Sequence, residues 1–325
     1  MAINNIVIIG CGNIGARHLQ AFATTTENMD IWVIDPKPES IENAKKLWAD
    51  AIASHTGCKA NVQFNLSTEL LPENIFLAII ATNSDARYKA LSGLLLKSKP
   101  THVILEKFLF QTSQEFEDTS TLLKQHAITS AYVNCPRRLF EAYSGLYTIL
   151  KRGQSITMSV TGNSWGMASN SIHFIDLFQM LIGDEKITHC RFNQSPDTLI
   201  TASKRGGFIE VNGQCEARGS SGSVLTLNCG TNDFDGIEIT IGQGETVLHV
   251  LEKAGKIKIS SNGKTSEFIM PYQSQLTHTY YSALKNAEKF RLVSYKESTQ
   301  HHLLFISAIE KLVADKNYSL PWKIT

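Results

Sequence analysis

The stretch GCGNIG at residues 10–15 directly follows the apolar residues IVII at 6–9 and opens a segment with apolar residues at helical spacing. A G-x-G-x-x-G between a strand and a helix is the fingerprint of a dinucleotide-binding turn. In that fingerprint Gly10 permits the tight turn, Gly12 leaves room for a pyrophosphate, and Gly15 lets the helix pack closely on the strand. The helix N-terminus then offers N–H groups to the phosphate charge. The alternative is a strand-to-helix turn that binds nothing.

The N-terminal part of the chain alternates short apolar runs with amphipathic segments of helix length. The apolar runs lie at residues 6–9, 31–34, 76–81, 103–105 and 128–133. Strands covered by helices on both faces are apolar throughout, and strands that alternate with helices form parallel sheets. We therefore expect residues 1–133 to form an α/β Rossmann-type domain with a parallel sheet.

Asp35 immediately follows the apolar run at residues 31–34. A carboxylate at the end of the second strand accepts hydrogen bonds from the adenosine ribose hydroxyls and repels a 2′-phosphate. No basic residue is adjacent to Asp35, although Lys37 lies two residues further on. The sequence therefore favours NAD over NADP as the cofactor. The alternative is that Asp35 only initiates a turn with Pro36.

Beyond residue 152 the pattern changes to alternating apolar and polar residues, which is typical of strands with one buried face. Such strands are expected at residues 156–160, 237–241 and 257–259, and Asn262-Gly263 is a strong hairpin signal. Helices are expected at residues 141–151, 171–182, 275–290 and 299–316. The sequence thus predicts that residues 134–325 form an α+β domain with a large, mainly antiparallel sheet, which binds substrate and mediates dimerisation.

The composition excludes several classes of protein. Lys and Arg number 31 against 30 Asp and Glu. The protein therefore has no net positive charge large enough to attract a polyanion, and we expect no nucleic-acid partner. The six cysteines contain no C-x-x-C pair and the histidines no ligand spacing, so we expect no metal. No apolar stretch approaches the ~20 residues of a membrane helix, and no signal-peptide pattern is seen. We expect a cytoplasmic protein without a membrane partner.

Three further segments carry a family resemblance. They are ATNS at residues 81–84, LEKF at 105–108 and SIHFID at 171–176. In this order they resemble motifs of the Gfo/Idh/MocA oxidoreductase family, named for glucose–fructose oxidoreductase and inositol dehydrogenase. The chain departs from the family pattern at four positions. Phe108 replaces a proline that is usually cis, Ser169 and Ser171 replace an aspartate and a glycine, and Arg87 stands where a histidine is common.

The resemblance, together with the glycine fingerprint, implies a set of ligand-binding residues. The expected cofactor contacts are Gly10, Gly12, Asn13, Ile14, Gly15, Asp35, Thr82, Asn83, Arg87, Glu106 and Lys107. The expected substrate contacts are Asn134, Arg137, Trp165, Asn170 and Asp176. Two alternatives stay open: Trp165 also fits core packing, and the Arg137-Arg138 pair fits either an acidic substrate or a cap on the domain hinge.

The same resemblance implies that Lys107 and His173 are catalytic and exchange a proton with the substrate hydroxyl. A surface lysine paired with Glu106 is the alternative for Lys107. His173 is expected in the first turn of its helix, where the helix dipole favours a neutral imidazole. In this interpretation Ser169 or Asn170 caps the helix, and Asp176 orients the imidazole.

These features predict an NAD-dependent dehydrogenase or reductase. The expected reaction transfers a hydride between nicotinamide and a secondary alcohol or ketone of a sugar, cyclitol or sugar nucleotide. The family resemblance also implies a homodimer or homotetramer. A non-catalytic NAD-binding sensor or partner subunit on the same fold is the alternative function.

Overall fold

The computed structural model describes residues 4–230, 235–318 and 322–325, apart from the side chain of Tyr147. The chain forms two compact units. The first unit comprises Met1–Asn134 and Pro271–Tyr295, and the second comprises Cys135–Met270 and Lys296–Thr325. The chain therefore leaves the first unit after Asn134, returns to it at Pro271 and leaves it again after Tyr295.

The secondary structure alternates strands and helices in the first third and is rich in strands afterwards. The strands are β1 (Asn4–Ile9), β2 (Met29–Ile34), β3 (Ala60–Asn65), β4 (Asn74–Ile80), β5 (Lys99–Leu105), β6 (Ser130–Val133), β7 (Thr157–Asn163), β8 (Ile187–Phe192), β9 (Leu199–Ala202), β10 (Ile209–Gly219), β11 (Val224–Gly230), β12 (Ile237–Gln243), β13 (Thr246–Lys253), β14 (Lys256–Ser261), β15 (Lys264–Ile269) and β16 (Val293–Ser294). The helices are α1 (Asn13–Gln20), α2 (Pro38–Ala53), α3 (Ser84–Leu95), α4 (Ser113–Gln125), α5 (Glu141–Ser144), α6 (Met167–Ile182), α7 (Gln273–Lys285) and α8 (Tyr295–Asp315).

The first unit is built on one sheet with the strand order β16-β6-β5-β4-β1-β2-β3. Strands β1 to β6 are parallel, and β16 runs antiparallel to β6. The order β3-β2-β1-β4-β5-β6 is that of a dinucleotide-binding sheet, and its strand order reverses between β1 and β4. This confirms the predicted Rossmann-type domain. Ligands of such sheets bind outside the carboxyl ends of the strands, at this reversal.

Strand β3 is not predicted by the apolar runs, because its sequence is polar. It lies at one edge of the sheet beside β2, and Asn61, Gln63 and Asn65 alternate with apolar residues. All its residues are half-buried or exposed. An edge strand is covered less completely than an inner one, so it does not need the continuous apolar sequence that marks β1 and β4.

The second unit is built on a sheet with the strand order β15-β14-β13-β12-β7-β11-β10-β8, and β9 also pairs with β10. Its neighbours are antiparallel except β7 and β11, which are parallel. This confirms the mainly antiparallel α+β prediction. The hairpin between β14 and β15 turns at Asn262-Gly263, whose φ angles of 50° and 75° suit a two-residue loop.

The helices of the second half differ from their predicted bounds. The helix predicted at 141–151 is only α5, followed by a 3₁₀ turn at Gly145–Thr148. Helix α6 begins four residues earlier than expected, at Met167, because the left-handed backbone of Gly166 turns the chain into it. Among the described residues, no helix is long and apolar enough to cross a membrane.

The division of the chain differs from the predicted boundary after residue 133. The prediction assigned all of 134–325 to one domain, whereas Pro271–Tyr295 belongs to the first unit. Helix α7 in this segment packs against α1. The phenol of Tyr281 explains the attachment, since its ring meets the edges of Phe22 and Phe76 at centroid distances of 6.2 and 5.4 Å. Its hydroxyl accepts a hydrogen bond from Asn4 at 2.8 Å.

We expect Tyr281→Ala to lower the free energy of unfolding by roughly 3 kcal/mol or more, because it removes a fully buried ring and leaves a cavity. Urea denaturation measures the loss, and hydrogen exchange locates it. Faster exchange should appear in residues 4–134. Tyr272→Ala is the control, since Tyr272 is 61% exposed. Faster exchange confined to residues 135–270 would contradict the assignment of this segment.

Candidate cofactor and catalytic site

The three glycines of the fingerprint have different surroundings. Gly10 has a φ of +87°, and a Cβ there would lie 2.7 Å from the amide nitrogen of Thr82. A Cβ on Gly15 would overlap the carbonyl oxygen of Gly10. A Cβ on Gly12, in contrast, would meet nothing within 4 Å, and the φ of Gly12 is −60°. The protein itself therefore requires Gly10 and Gly15, whereas the space beside Gly12 is open for a ligand.

The first turn of α1 borders this open space. Gly12 is the N-cap, and its carbonyl accepts the first helical hydrogen bond from Ala16 at 2.9 Å. The turn contains no acidic residue. The amides of Asn13, Ile14 and Gly15 precede the first intrahelical donor, so they can donate to an anion. This arrangement fits the pyrophosphate of a dinucleotide.

Asp35 joins the end of β2 to the glycine turn. Its Oδ2 accepts from the amide of Cys11 at 2.9 Å, and its Oδ1 accepts from the amide of Lys37 at 3.0 Å. The bond from Lys37 closes a turn at Asp35-Pro36, which is the alternative role considered for Asp35. Each carboxylate oxygen can accept a further hydrogen bond, so the turn and a ribose contact are compatible. Burial, followed by the charge of Asp35, raises the pKa of Cys11 to about 12, so its thiol adds no charge here.

Thr82 and Asn83 follow β4 at the same edge of the sheet. The approach of Gly10 to the amide of Thr82 brings the two turns into contact. Asn83 is the N-cap of α3. The structure thus brings the glycine turn, Asp35, Thr82 and Asn83 together at the reversal of strand order.

Arg87, a predicted cofactor contact, bonds to the protein backbone in this structure. Its side chain is 2% exposed, and the guanidinium donates to the carbonyls of Thr82, Phe108 and Leu109. Arg87 therefore ties the turn after β4 to the segment after β5. The peptide between Lys107 and Phe108 in this segment is cis.

Glu106 is also committed to a protein contact. It is 5% exposed; its Oε1 lies 2.8 Å from Nε2 of His18 and accepts from the amide group of Asn134. Burial alone would raise the pKa of Glu106, but the bonds from His18 and Asn134 and the charge of Lys107 outweigh it and hold the pKa below its usual value. The Glu106 carboxylate is therefore ionised and internally paired.

The pair continues into helix α7. Nδ1 of His18 lies 2.8 Å from Oγ1 of Thr277, and Asn134 bonds to Gln273 and Tyr280 at 2.8 and 3.1 Å. Asn134 is 2% exposed, and this network supplies its partners within the protein, while its predicted substrate contact stays a prediction. His18 is not among the site residues that the sequence predicts. The feature of the sequence that points to His18 is its place on the buried side of α1, next to Leu19.

In the second unit, His173 lies in the second turn of α6 rather than in the first. The N-cap is Gly166, so the predicted caps Ser169 and Asn170 are inside the helix. The field of the helix dipole decays within the first turn. The dipole argument for a neutral imidazole therefore does not apply to His173. Its side chain is half-buried.

Asp176, a predicted substrate contact, is fully buried and pairs with Arg138. Both of its oxygens accept from the Arg138 guanidinium, at 2.8 and 2.6 Å. Burial raises the pKa of Asp176 to about 6, although the charge of Arg138 opposes the shift. The prediction that Asp176 orients His173 overlooked this partner, which is 38 residues earlier in the chain.

Arg137 is likewise held within the second unit. Its guanidinium donates to both carboxylate oxygens of Glu252, at 3.0 and 2.7 Å, and lies 4.3 Å from the centre of the Phe174 ring. Its charge is thus neutralised by a buried partner, which argues against the predicted contact with an acidic substrate. Trp165 packs its edge on Phe174 and donates to the carbonyl of Asn228 at 2.9 Å.

Within the described ranges, no group of three or more His, Cys, Asp or Glu side chains is arranged to hold a metal ion.

Comparison with known proteins assigns the first part of the chain. The model of an oxidoreductase family with an NAD-binding Rossmann fold, Gfo/Idh/MocA, matches residues 4–134. This match covers the dinucleotide-binding sheet of the first unit. The predicted class, an NAD-dependent oxidoreductase, is confirmed at the level of this family, and NAD is the cofactor that the family binds. A search of curated protein sequences finds no match.

Solved structures extend the likeness over nearly the whole chain. UDP-N-acetylglucosamine 3-dehydrogenase GnnA from Acidithiobacillus ferrooxidans is 13% identical, with a TM-score of 0.69 and coverage of 96% of this chain and 100% of GnnA. An Agrobacterium radiobacter oxidoreductase in complex with NAD+, L-tartaric acid and magnesium is 12% identical, with a TM-score of 0.68 and coverage of 95% and 96%. The super-repressor mutant of Gal80p from Saccharomyces cerevisiae is 13% identical, with a TM-score of 0.69 and coverage of 96% and 97%. At these identities the likeness concerns the fold.

We expect Gly12→Val to fold normally but to bind NADH at least tenfold more weakly, because the new side chain fills the open space beside Gly12. Gly15→Ala should do the opposite and destabilise the protein, by about 2 kcal/mol or more, since its Cβ overlaps backbone. Calorimetric titration and thermal unfolding measure the two effects. Normal NADH binding by Gly12→Val would mean that the turn is only structural.

Proposed function

We propose that the protein transfers a hydride between NAD and a secondary alcohol or ketone of a sugar, cyclitol or sugar nucleotide. The observation that carries the proposal is the open space beside Gly12, next to the first turn of α1 and the carboxylate of Asp35. The fold shared with a UDP-N-acetylglucosamine dehydrogenase supports the substrate class. It does so by analogy, since a fold alone hosts several functions.

The residues that would hold NAD are those at the reversal of strand order. The amides of the first α1 turn would bind the pyrophosphate, Asp35 the adenosine ribose, and Thr82 and Asn83 the part of the cofactor nearest β4. When bound, NAD supplies or accepts the hydride. The protein then has to orient the substrate carbon and move the hydroxyl proton.

Lys107 is the proposed proton carrier of the first unit. It follows β5 directly after Glu106 and is half-buried. Its backbone position is fixed on both sides, because Glu106 is anchored to His18 and the carbonyls of Phe108 and Leu109 accept from Arg87. In alcohol oxidation a neutral Nζ takes the hydroxyl proton, and in carbonyl reduction the ammonium returns it.

His173 is the proposed proton carrier of the second unit. It is half-buried on α6, one helical turn beyond Ser169 and Asn170. The side chains of Asn170 and Trp165, both half-buried, are the proposed contacts for a polyhydroxylated ring. An indole face and an amide suit the apolar face and the hydroxyl edge of such a ring.

A second candidate function is a non-catalytic NAD-binding sensor. Ser169 cannot supply the carboxylate that the family resemblance implies at this position, and Gal80p, a protein with a super-repressor mutant, shares the fold. The two functions differ in one measurable property. The enzyme reduces NAD+ when a suitable polyol is added, whereas the sensor binds the dinucleotide without turnover.

NADH should bind at least tenfold more tightly than NADPH, a difference of about 1.4 kcal/mol, because the Asp35 carboxylate repels a 2′-phosphate. Asp35→Asn should narrow the gap mainly by improving NADPH binding, since the amide oxygen keeps one acceptor for the turn. Calorimetric titration with both cofactors measures the gap. Equal or tighter binding of NADPH by the unmodified protein would contradict the role of Asp35.

Lys107→Met should reduce turnover by ~100-fold or more while NADH binding is retained, as expected for the loss of a general acid or base. NADH formation from NAD+ is followed with myo-inositol and with UDP-N-acetylglucosamine as probes. Lys97→Met is the control, since Lys97 is exposed beyond α3. Unimpaired turnover in Lys107→Met would assign the proton transfer to another group. Tight NADH binding without turnover of either probe by the unmodified protein would favour the sensor.

A further inference from the structure

Helix α6, which carries His173, begins without a capping side chain of its own. Its N-cap is Gly166, with a φ of +73°, and its first turn contains no acidic residue. The first amides of a helix need acceptors from outside the helix. In most helices a Ser, Thr, Asp or Asn at the N-cap supplies the acceptor. Here the acceptor has to come from elsewhere in the chain.

Glu210 on strand β10 supplies it. Its Oε2 accepts from the amide of Ala168 at 2.9 Å and from the amide of Ser169 at 3.3 Å. The contact is tightly fitted, because a Cβ on Gly166 would lie 3.1 Å from Oε1 of Glu210. A negative charge that accepts hydrogen bonds at a helix N-terminus is favourable both as a charge-assisted bond and through the helix dipole. Glu210 therefore fixes the start of α6 on β10.

The turn that Glu210 holds also carries the proposed substrate contacts. Asn170 donates to the carbonyl of Trp165 at 2.8 Å, and Ser169 donates to the carbonyl of Gly166 at 3.2 Å. His173 lies three residues beyond Asn170 and four beyond Ser169, so the three side chains share one side of the helix. Glu210 thus accepts from the backbone amide of Ser169. The side chains of Ser169 and Asn170 bond to the carbonyls of Gly166 and Trp165 at the start of the same helix.

We propose that Glu210 is a positioning residue for the candidate site on α6. Its carboxylate accepts hydrogen bonds from the first turn of α6, which has no acidic residue of its own. The family resemblance implies an aspartate at position 169, where this chain has Ser169. Through the amides of Ala168 and Ser169 it sets the placement of Trp165, Asn170 and His173. The expected effect of Glu210 on turnover rests on the proposed function. Its expected effect on the start of α6 rests only on its hydrogen bonds to Ala168 and Ser169.

Two variants of Glu210 and one matched control test the proposal. Glu210→Ala removes both acceptor oxygens, whereas Glu210→Gln keeps one oxygen that can accept from the two amides. Glu216→Gln removes a carboxylate from the same strand, where it accepts from Arg218 at 2.7 Å instead of from α6. If Glu210→Ala does not fold, Glu210→Asp replaces it, since its shorter side chain cannot reach both amides.

Hydrogen exchange of residues 166–173 measures how firmly the start of α6 is held. NADH formation from NAD+ with myo-inositol or UDP-N-acetylglucosamine measures whether turnover depends on it. In Glu210→Ala we expect exchange to rise about tenfold, the range expected for loss of a helix cap. The kcat should fall about tenfold, the KM for NAD+ should stay within about twofold, and Glu210→Gln should recover most of both losses. Glu216→Gln should change neither exchange nor kcat.

Three results would overturn the proposal. These are unchanged exchange in Glu210→Ala, unchanged kcat despite faster exchange, and equal effects of Glu216→Gln. Failure of the proposed function looks different, because the unmodified protein would then turn over neither probe. In that case the exchange comparison still decides whether Glu210 holds the start of α6.

Discussion

The close approach of helix α1 to the turn that precedes it is the constraint on which the first unit depends. At Gly15 there is no room for even one carbon atom beside the carbonyl of Gly10. This contact sets the distance between α1 and the sheet, and it directs the first turn of the helix at the end of β4. Gly12 takes no part in this packing, since a Cβ there would meet nothing within 4 Å. One short turn therefore combines two positions required by the fold with one that is free for a ligand.

Buried charges are the second feature that organises the structure. Glu106, Asp176 and Glu252 are each at most 5% exposed, and each has a cationic or histidine partner within 3 Å. A buried carboxylate without a partner would be strongly destabilising. Each pair joins segments that are distant in sequence, so each one restricts the fold to a single arrangement of those segments. The same pairs give Arg137 and Asp176, two predicted substrate contacts, charged partners within the protein.

The fold and the cofactor turn could be predicted because their signals are local. Apolar runs mark β1, β2 and β4 to β6, and the glycine spacing marks the phosphate turn. Strand β3 lacks such a run because it lies at a sheet edge. The protein partners of Asn134, Arg137 and Asp176 could not be predicted, for another reason. A motif match identifies a residue but not its partner, and the partners Gln273, Glu252 and Arg138 lie 139, 115 and 38 residues away. Glu210 could not be found for the same reason, since its contact with Ser169 spans 41 residues.

The return of Pro271–Tyr295 to the first unit affects how the protein is synthesised. When the ribosome has released the first 134 residues, every parallel strand of the sheet is present, but Phe22 and Phe76 still lack Tyr281, and His18 lacks Thr277. That intermediate exposes an apolar surface and an incompletely bonded polar network until about 150 further residues have emerged. The first unit therefore reaches its final state only after most of the second has been made.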